Sequence, residues 1–165
     1  LYAHNHVLED VLAVFKDSTI DACFSDLVYV DRKDTDRVVR YWQSKPYQDG
    51  LFQIGWMPPH PTFFVRRKVY DQFGLFDLNF KIAADVELLM RFIAKHKIKT
   101  VYLPRITVKM RVGGTTNKSW LNIIRQNVEI YKAARKNGFS LSPFFIPRKN
   151  IDRLSQFIKR PARLP

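Results

Sequence analysis

Asp85 is the first residue whose type and position could support chemistry. It begins an amphipathic helical pattern that runs to about Lys95. A carboxylate at the start of such a helix lies at the edge of the fold, where it could take a proton from a substrate hydroxyl within hydrogen-bond reach. Asp is also a favoured helix N-cap, so a purely structural role for Asp85 stays open.

His60 lies in a proline-rich segment, Trp56-Met57-Pro58-Pro59-His60-Pro61-Thr62. The three prolines fix their own φ angles and restrict the residues before them, which predicts that the segment is not helical. A fixed loop of this kind could present the imidazole to a metal or a phosphate. Packing or hydrogen bonding is the alternative role for a lone His.

Gly113-Gly114-Thr115-Thr116 is a flexible turn preceded by Lys109 and Arg111. Glycines allow backbone N–H groups to approach an anion, and the hydroxyls and a guanidinium could complete a phosphate cradle. The spacing and the lysine of the nucleotide P-loop are absent. A turn that only reverses the chain is the alternative.

The positive charge of the chain is concentrated at its C-terminal end. Of 165 residues, 28 are Lys or Arg and 15 are Asp or Glu, and the residues from Lys118 onwards carry 11 of the basic and 2 of the acidic ones. This asymmetry favours a polyanionic partner. The last helical pattern, Asn150–Lys159, has an apolar stripe beside basic residues, which indicates an interfacial helix on an anionic membrane. A solvated helix that packs its stripe on the body is the alternative.

Short strands and helices alternate along the chain, which predicts an α/β protein. Strands are predicted at 22–30, 62–65, 99–103 and 106–112, and residues 32–50 are predicted to form a loop or edge segment. Helices are predicted near 8–15, 68–73, 85–95, 119–136 and 150–159. In two of the helices, apolar residues in phase predict the face toward the core. These residues are Leu8, Val11, Leu12 and Phe15, and then Leu121, Ile124, Val128 and Tyr131.

Composition excludes several classes of protein. Hydrophobic residues make up 46% of the chain, enough for a core, which argues against intrinsic disorder. Cys23 is the single cysteine, which excludes a disulfide scaffold or a cysteine-rich zinc site and fits a reducing compartment. No apolar run approaches the roughly 20 residues of a membrane span. We therefore expect a cytoplasmic protein, peripheral at the inner face of the membrane if its tail binds lipid.

Six segments, taken in order, resemble the C-terminal half of the family 2 glycosyltransferases, particularly the bacterial enzymes that build polysaccharides. They are Leu1–His4, Ser25–Asp31, Met57–Arg67, Gly74–Asp77, Ile82–Arg91 and Met110–Thr116. The resemblance covers about residues 1–138. It implies that residues 1–138 are the acceptor-side part of a glycosyltransferase domain and that residues 139–165 are a basic C-terminal extension.

The resemblance implies a GT-A fold, a Rossmann-like α/β sandwich around a mainly parallel sheet, here without its N-terminal nucleotide-binding strands. The family's reaction transfers a sugar from a nucleotide-sugar donor to a sugar or lipid-linked acceptor, usually with inversion. Inversion needs a base on the face opposite the leaving nucleotide. The aspartate that fills this role in the family falls on Asp85.

The resemblance also implies a Mg²⁺ or Mn²⁺ ion, which neutralises the diphosphate leaving group. Its main ligands belong to an acidic motif expected before Leu1, so we expect the 165-residue piece alone to show little or no transferase activity. His60, Arg111 and the turn residues Gly113, Gly114 and Thr115 are expected near the diphosphate or the acceptor.

Three further residues are expected near the substrates. Asp31 is expected to line the acceptor cleft, with a strand-end cap as the alternative. Trp42 and Trp56 could stack on sugar rings, with burial in the core as the alternative.

Two other classes of function stay open. The net charge of +13 suits a nucleic-acid-binding module. However, the charge lies in the tail and no helix-turn-helix, zinc-finger or RNA-binding signature is present, so we expect no nucleic-acid partner. The other class is a non-catalytic adaptor that docks a partner or the membrane through its basic end.

Overall fold

The chain forms a four-stranded mixed sheet covered by helices, and the prediction of an α/β protein is confirmed. The computed structural model describes residues 1–113 and 120–158. Its strands are β1 (Ala22–Val30), β2 (Val38–Trp42), β3 (Phe64–Val65) and β4 (Thr100–Arg111). Its α-helices are α1 (Val7–Phe15), α2 (Arg67–Phe73), α3 (Ala84–Leu89), α4 (Trp120–Lys136) and α5 (Phe145–Ile158). Single 3₁₀ turns form at Phe52–Ile54 and His60–Thr62, and α3 continues as a π-helix over Met90–Lys95.

Strand β1 is the centre of the sheet. Strand β4 runs parallel to it along its whole length, from Ala22 opposite Thr100 to Val30 opposite Arg111. On the other side, β2 pairs antiparallel with the end of β1, and β3 pairs antiparallel with its beginning. Nearly every residue of β1 is buried, as expected for a strand covered on both faces. Because β1 and β4 are parallel, their carboxyl ends lie at the same edge of the sheet.

Strand β4 is continuous, so the prediction of two strands interrupted by Pro104 is wrong. Leu103 lies opposite Ser25 and Ile106 lies opposite Asp26, which leaves Pro104 and Arg105 as extra residues in a bulge. Proline has no N–H to donate to a ladder, and a bulge accommodates it without ending the strand.

Helix α4 buries a different face from the predicted one. Ile130, Ala133 and Ala134 are buried, because the two small alanines allow α4 to pack closely beside α3. Most of the other apolar residues of the helix lie on its outside. They include Leu121, Ile124 and Val128, all exposed.

Two other helices also differ from prediction. Helix α1 buries Val7 and Val11, whereas Leu8 and Leu12 are exposed. Helix α5 begins at Phe145, five residues before the predicted start, with Pro147 in the first turn. Proline is tolerated there because the first N–H groups of a helix have no helical partner. None of the helices in residues 1–113 and 120–158 is long and apolar enough to cross a membrane.

A buried ion pair fixes the junction between α3 and the π-helix. Glu87 is fully buried, and the Arg91 guanidinium donates to its carboxylate at 3.1–3.2 Å. The same guanidinium donates to the backbone carbonyls of Phe73, Gly74 and Leu75. Arg91 therefore links α3 to the segment that follows α2.

Candidate active site

A cleft of about 780 Å³ opens at the carboxyl edge of β1 and β4. Asp85, His60, Trp56, Arg111 and Gly113 all line it, so the structure brings together five of the residues predicted for the site. Gly114 and Thr115 lie outside the described residues.

Asp85 is the second residue of α3 and so does not occupy the N-cap position. The N-cap position is Ala83, which makes no side-chain cap bond. The carboxylate of Glu129, from α4, accepts hydrogen bonds from the N–H groups of Ile82 and Ala83, just before the helix, at 2.8 and 2.9 Å. The N-cap alternative for Asp85 is therefore wrong.

The Asp85 carboxylate has few partners of its own. Its Oδ1 accepts a hydrogen bond from the neighbouring Val86 N–H at 2.8 Å, and no other described residue donates to it. The side chain lines the cleft and is half-buried. It is thus free to accept a proton or a hydrogen bond from a ligand.

His60 occupies the first position of the 3₁₀ turn His60–Thr62, so the prediction of a non-helical segment is wrong for this single turn. The buried Thr62 hydroxyl fixes the turn to β1, because its oxygen accepts from the Ser25 N–H at 3.1 Å and lies 2.9 Å from the Ser25 carbonyl. The His60 ring packs edge-on against Phe76 at 5.8 Å. The imidazole is therefore held in place from two sides.

The His60 Nδ1 atom is buried and has no hydrogen-bond partner among the described residues. Burial lowers the pKa of His60, and the negative charge of Asp85 opposes that shift without cancelling it. The ring is therefore neutral at pH 7, with one nitrogen able to accept and one able to donate. An unpaired buried nitrogen at a cleft wall is a position for a ligand atom.

Arg111 and Gly113 lie at the end of β4, where the chain leaves the sheet. The N–H of Val112 still donates to the carbonyl of Val30 at 3.0 Å, so the two residues beside it are fixed relative to β1. Arg111 is exposed. Gly113 has φ of +109°, a region that favours glycine, so the chain turns away at this residue.

Asp31, which was expected to line the acceptor cleft, is not among the residues that line this cleft. Its Oδ1 accepts the N–H groups of Lys33 and Asp34 at 2.8 and 3.2 Å, and these bonds lower the pKa of Asp31. Asp31 is bonded as the cap of the turn that follows β1, which is the alternative considered for it.

Trp56 lies between the cleft and the core. It lines the cleft, and its ring also packs against Phe24, Tyr47 and Phe52 with centroids 5.6–5.9 Å apart. Trp42 lines the cleft from β2. One part of the Trp56 ring therefore belongs to the core while the residue remains in reach of a ligand.

A group of cations that the sequence did not reveal forms another part of the wall. Arg40 from β2 and Lys149 and Arg153 from α5 all line the cleft. Helix α5 reaches this position because Gly55 has no side chain: a Cβ there would lie 3.1 Å from the Phe145 carbonyl oxygen and 3.3 Å from the Lys149 nitrogen. The basic helix was recognised in the sequence, but nothing in it predicted that α5 folds back over the cleft.

The described residues do not form a metal site of their own. They contain no group of three or more His, Cys, Asp or Glu side chains that could hold an ion. Of the residues predicted for the site, Asp85 and His60 are the two with side chains of these types that line the cleft. The Mg²⁺ or Mn²⁺ implied by the resemblance therefore does not fit the residues described, and no chemical step is assigned to it.

No family model and no curated protein matches this chain.

Proposed function

We propose that this chain forms the acceptor-side part of an inverting glycosyltransferase of the GT-A type. The observation that carries the proposal is the position of Asp85, a half-buried acid whose Oδ1 accepts the Val86 N–H and which lines the same cleft as the unpaired His60 Nδ1. A parallel strand pair that ends at this cleft is compatible with a Rossmann-like sheet, in which ligands bind beyond the carboxyl ends of the strands.

The proposed reaction makes one bond and breaks another at the same carbon. The acceptor hydroxyl oxygen bonds to the anomeric carbon of the donor sugar while its proton passes to the Asp85 carboxylate. The bond from that carbon to the diphosphate oxygen breaks, and its electron pair leaves with the nucleoside diphosphate. Attack and departure on opposite faces invert the configuration.

The other cleft residues would bind the substrates. The neutral His60 imidazole can hydrogen-bond a sugar hydroxyl or a phosphate oxygen, and Arg111 can offset the charge of the diphosphate. The exposed part of Trp56 offers an apolar surface for a sugar ring.

The function is tested with the protein encoded by the complete reading frame. We expect it to release a nucleoside diphosphate from one member of a panel of nucleotide sugars, and to do so faster when glycan acceptors are added. A folded protein that neither binds nor turns over any member of the panel would contradict the proposal.

We also propose that α5 holds the protein against an anionic membrane on the cytoplasmic side. Three residues of the apolar stripe, Ile151, Leu154 and Ile158, are largely exposed, whereas the fourth, Phe157, lines the cleft near Arg40. Arg148 is exposed on the same helix, and the sequence continues with Lys159, Arg160 and Arg163. An exposed apolar stripe among basic residues fits the headgroup region of an anionic bilayer.

Replacing Leu154 and Ile158 together with Asp is expected to weaken binding to phosphatidylglycerol vesicles at least about tenfold, because two apolar side chains would no longer enter the bilayer. Co-sedimentation measures this. Leu78→Asp is the matched control, since Leu78 is as exposed but lies before α3. Equal loss in both variants, or equal binding to uncharged vesicles, would contradict the proposal.

A further inference from the structure

The three cations Arg40, Lys149 and Arg153 form a group apart from the residues proposed for catalysis. Arg40 belongs to β2, and the other two belong to α5, which packs on β2. The positive charge of Arg153 lowers the pKa of both Arg40 and Lys149, each already lowered by burial. The charge that acts on His60 is that of Asp85 instead. The three cations therefore line the cleft where α5 packs on β2.

Arg40 is a buried charge without an acidic partner in the described part of the chain. Only 8% of the residue is exposed, and its Nε is buried without a hydrogen-bond partner. Its guanidinium carbon stacks 3.7 Å above the centre of the Tyr29 ring and lies 5.7 Å from that of Phe157. A buried guanidinium without a counter-ion is unfavourable, so the arrangement favours binding of an anion.

Lys149 also lacks an acidic partner among the described residues. Its Nζ donates to the Asn127 side-chain oxygen at 2.8 Å, a neutral partner, and no carboxylate in residues 1–113 or 120–158 pairs with it. Burial, followed by the charge of Arg153, lowers the pKa of Lys149 to about 8. By contrast, the lysines at 68, 97, 109 and 136 each pair with an Asp.

We propose that Arg40, Lys149 and Arg153 form a subsite for a phosphoryl group carried by the acceptor. Three cations around one cavity match the charge and the several acceptor oxygens of a phosphate better than the single charge of a carboxylate. The nearby Asp152 is exposed and leaves the wall positive. The assignment to the acceptor rests on the proposed function, in which Arg111 offsets the charge of the donor diphosphate, so that a second phosphoryl group at these three cations would belong to the acceptor.

A phosphoryl group could come from a phosphorylated sugar or from a lipid phosphate. The two sources share the chemistry that the subsite would recognise. Octyl phosphate and glucose 1-phosphate represent them as probes, and inorganic phosphate represents the group alone.

The first measurement is the pKa of Lys149. NMR of lysine labelled with ¹³C at Cε monitors this pKa, and the variant Lys149→Met identifies the Lys149 signal. We expect inorganic phosphate to raise this pKa by about one unit relative to chloride at equal ionic strength, because the bound dianion favours the charged amine. No difference between phosphate and chloride would overturn the subsite.

The second measurement is phosphate affinity by calorimetry. Arg153→Gln is expected to weaken binding about tenfold, the loss of one charge-assisted hydrogen bond. Arg67→Gln is the matched control, because Arg67 is exposed on α2, away from the cleft residues. Equal weakening in the two variants would show nonspecific attraction to a basic protein and would overturn the subsite.

The probes separate the acceptor from the donor and the subsite from the proposed function. Tighter binding of octyl phosphate than of glucose 1-phosphate supports a lipid-linked acceptor, and the reverse supports a phosphorylated sugar. If Arg153→Gln weakened the binding of a nucleoside diphosphate as much as the binding of phosphate, the assignment to the acceptor would be wrong. Phosphate binding without any sugar transfer would overturn the glycosyltransferase and leave the phosphate site; transfer without phosphate binding would overturn the subsite alone.

Discussion

Asp85→Asn is expected to lower the kcat of sugar transfer by about 10³-fold, the range by which a positioned general base accelerates proton transfer. Asn has nearly the shape of Asp, but its amide does not accept a proton at neutral pH. Donor binding should change little, because the loss falls on the transition state. The measurement is the initial rate of nucleoside diphosphate release by the protein from the complete reading frame.

Asp71→Asn is the control for this variant. Asp71 is an exposed carboxylate on α2 that pairs with Arg67 at 3.9 Å, so its replacement removes the same charge without touching the cleft. Equal thermal unfolding midpoints would show that both variants fold. A kcat for Asp85→Asn within a few-fold of the original would remove Asp85 as the base and favour the adaptor.

Arg91→Met is expected to lower the free energy of unfolding by about 3–5 kcal/mol, because it leaves the fully buried Glu87 carboxylate without its charged partner. The remaining donors are weak replacements. Asn137 Nδ2 lies 3.3 Å and Lys136 Nζ lies 3.6 Å from the same carboxylate oxygen. Urea unfolding followed by circular dichroism measures the change.

Two variants decide the cause of that loss. Arg67→Met, in an exposed pair on α2, is expected to change the unfolding free energy by less than about 1 kcal/mol. Adding Glu87→Leu to Arg91→Met should recover part of the loss, since no buried charge then remains. The recovery is incomplete because the carbonyls of residues 73–75 still lack their donor. A double variant no more stable than Arg91→Met would refute the unpaired charge as the cause.

Local sequence patterns predicted the secondary structure correctly where neighbouring residues share one conformational preference. The run of aromatic and β-branched residues predicted β1 with its observed bounds, Ala22–Val30. Gly74, with φ of +86°, ends α2 where the sequence predicted. In each case the preference of a few neighbouring residues agrees with the fold.

The failures occurred where a distant contact decided the outcome. Pro104 does not end β4, because pairing with β1 continues on both sides of the bulge. Helix α4 buries its alanines because it packs beside α3, and the apolar periodicity of α4 alone does not indicate that contact. Likewise, the hydrogen bonds of Glu129 to the N–H groups just before α3 join residues 46 and 47 positions apart.

The candidate site divides in the same way. The six ordered segments placed Asp85, His60 and Gly113 at one cleft, as the structure shows. The cations Arg40, Lys149 and Arg153 were missed because they meet only when α5 folds back onto β2. The helical pattern of the tail contains no information about that contact.

The close approach of α5 to Gly55 has a thermodynamic consequence. One wall of the cleft is helix α5, which docks on the rest of the protein. A ligand that contacts both α5 and the opposite wall therefore stabilises the docked position of the helix. By linkage, stronger docking of the helix raises the affinity for that ligand. A methyl group at position 55 would meet the α5 backbone at 3.1 Å and act against both. Affinity in the cleft and order at the C-terminal end are therefore two readouts of a single equilibrium.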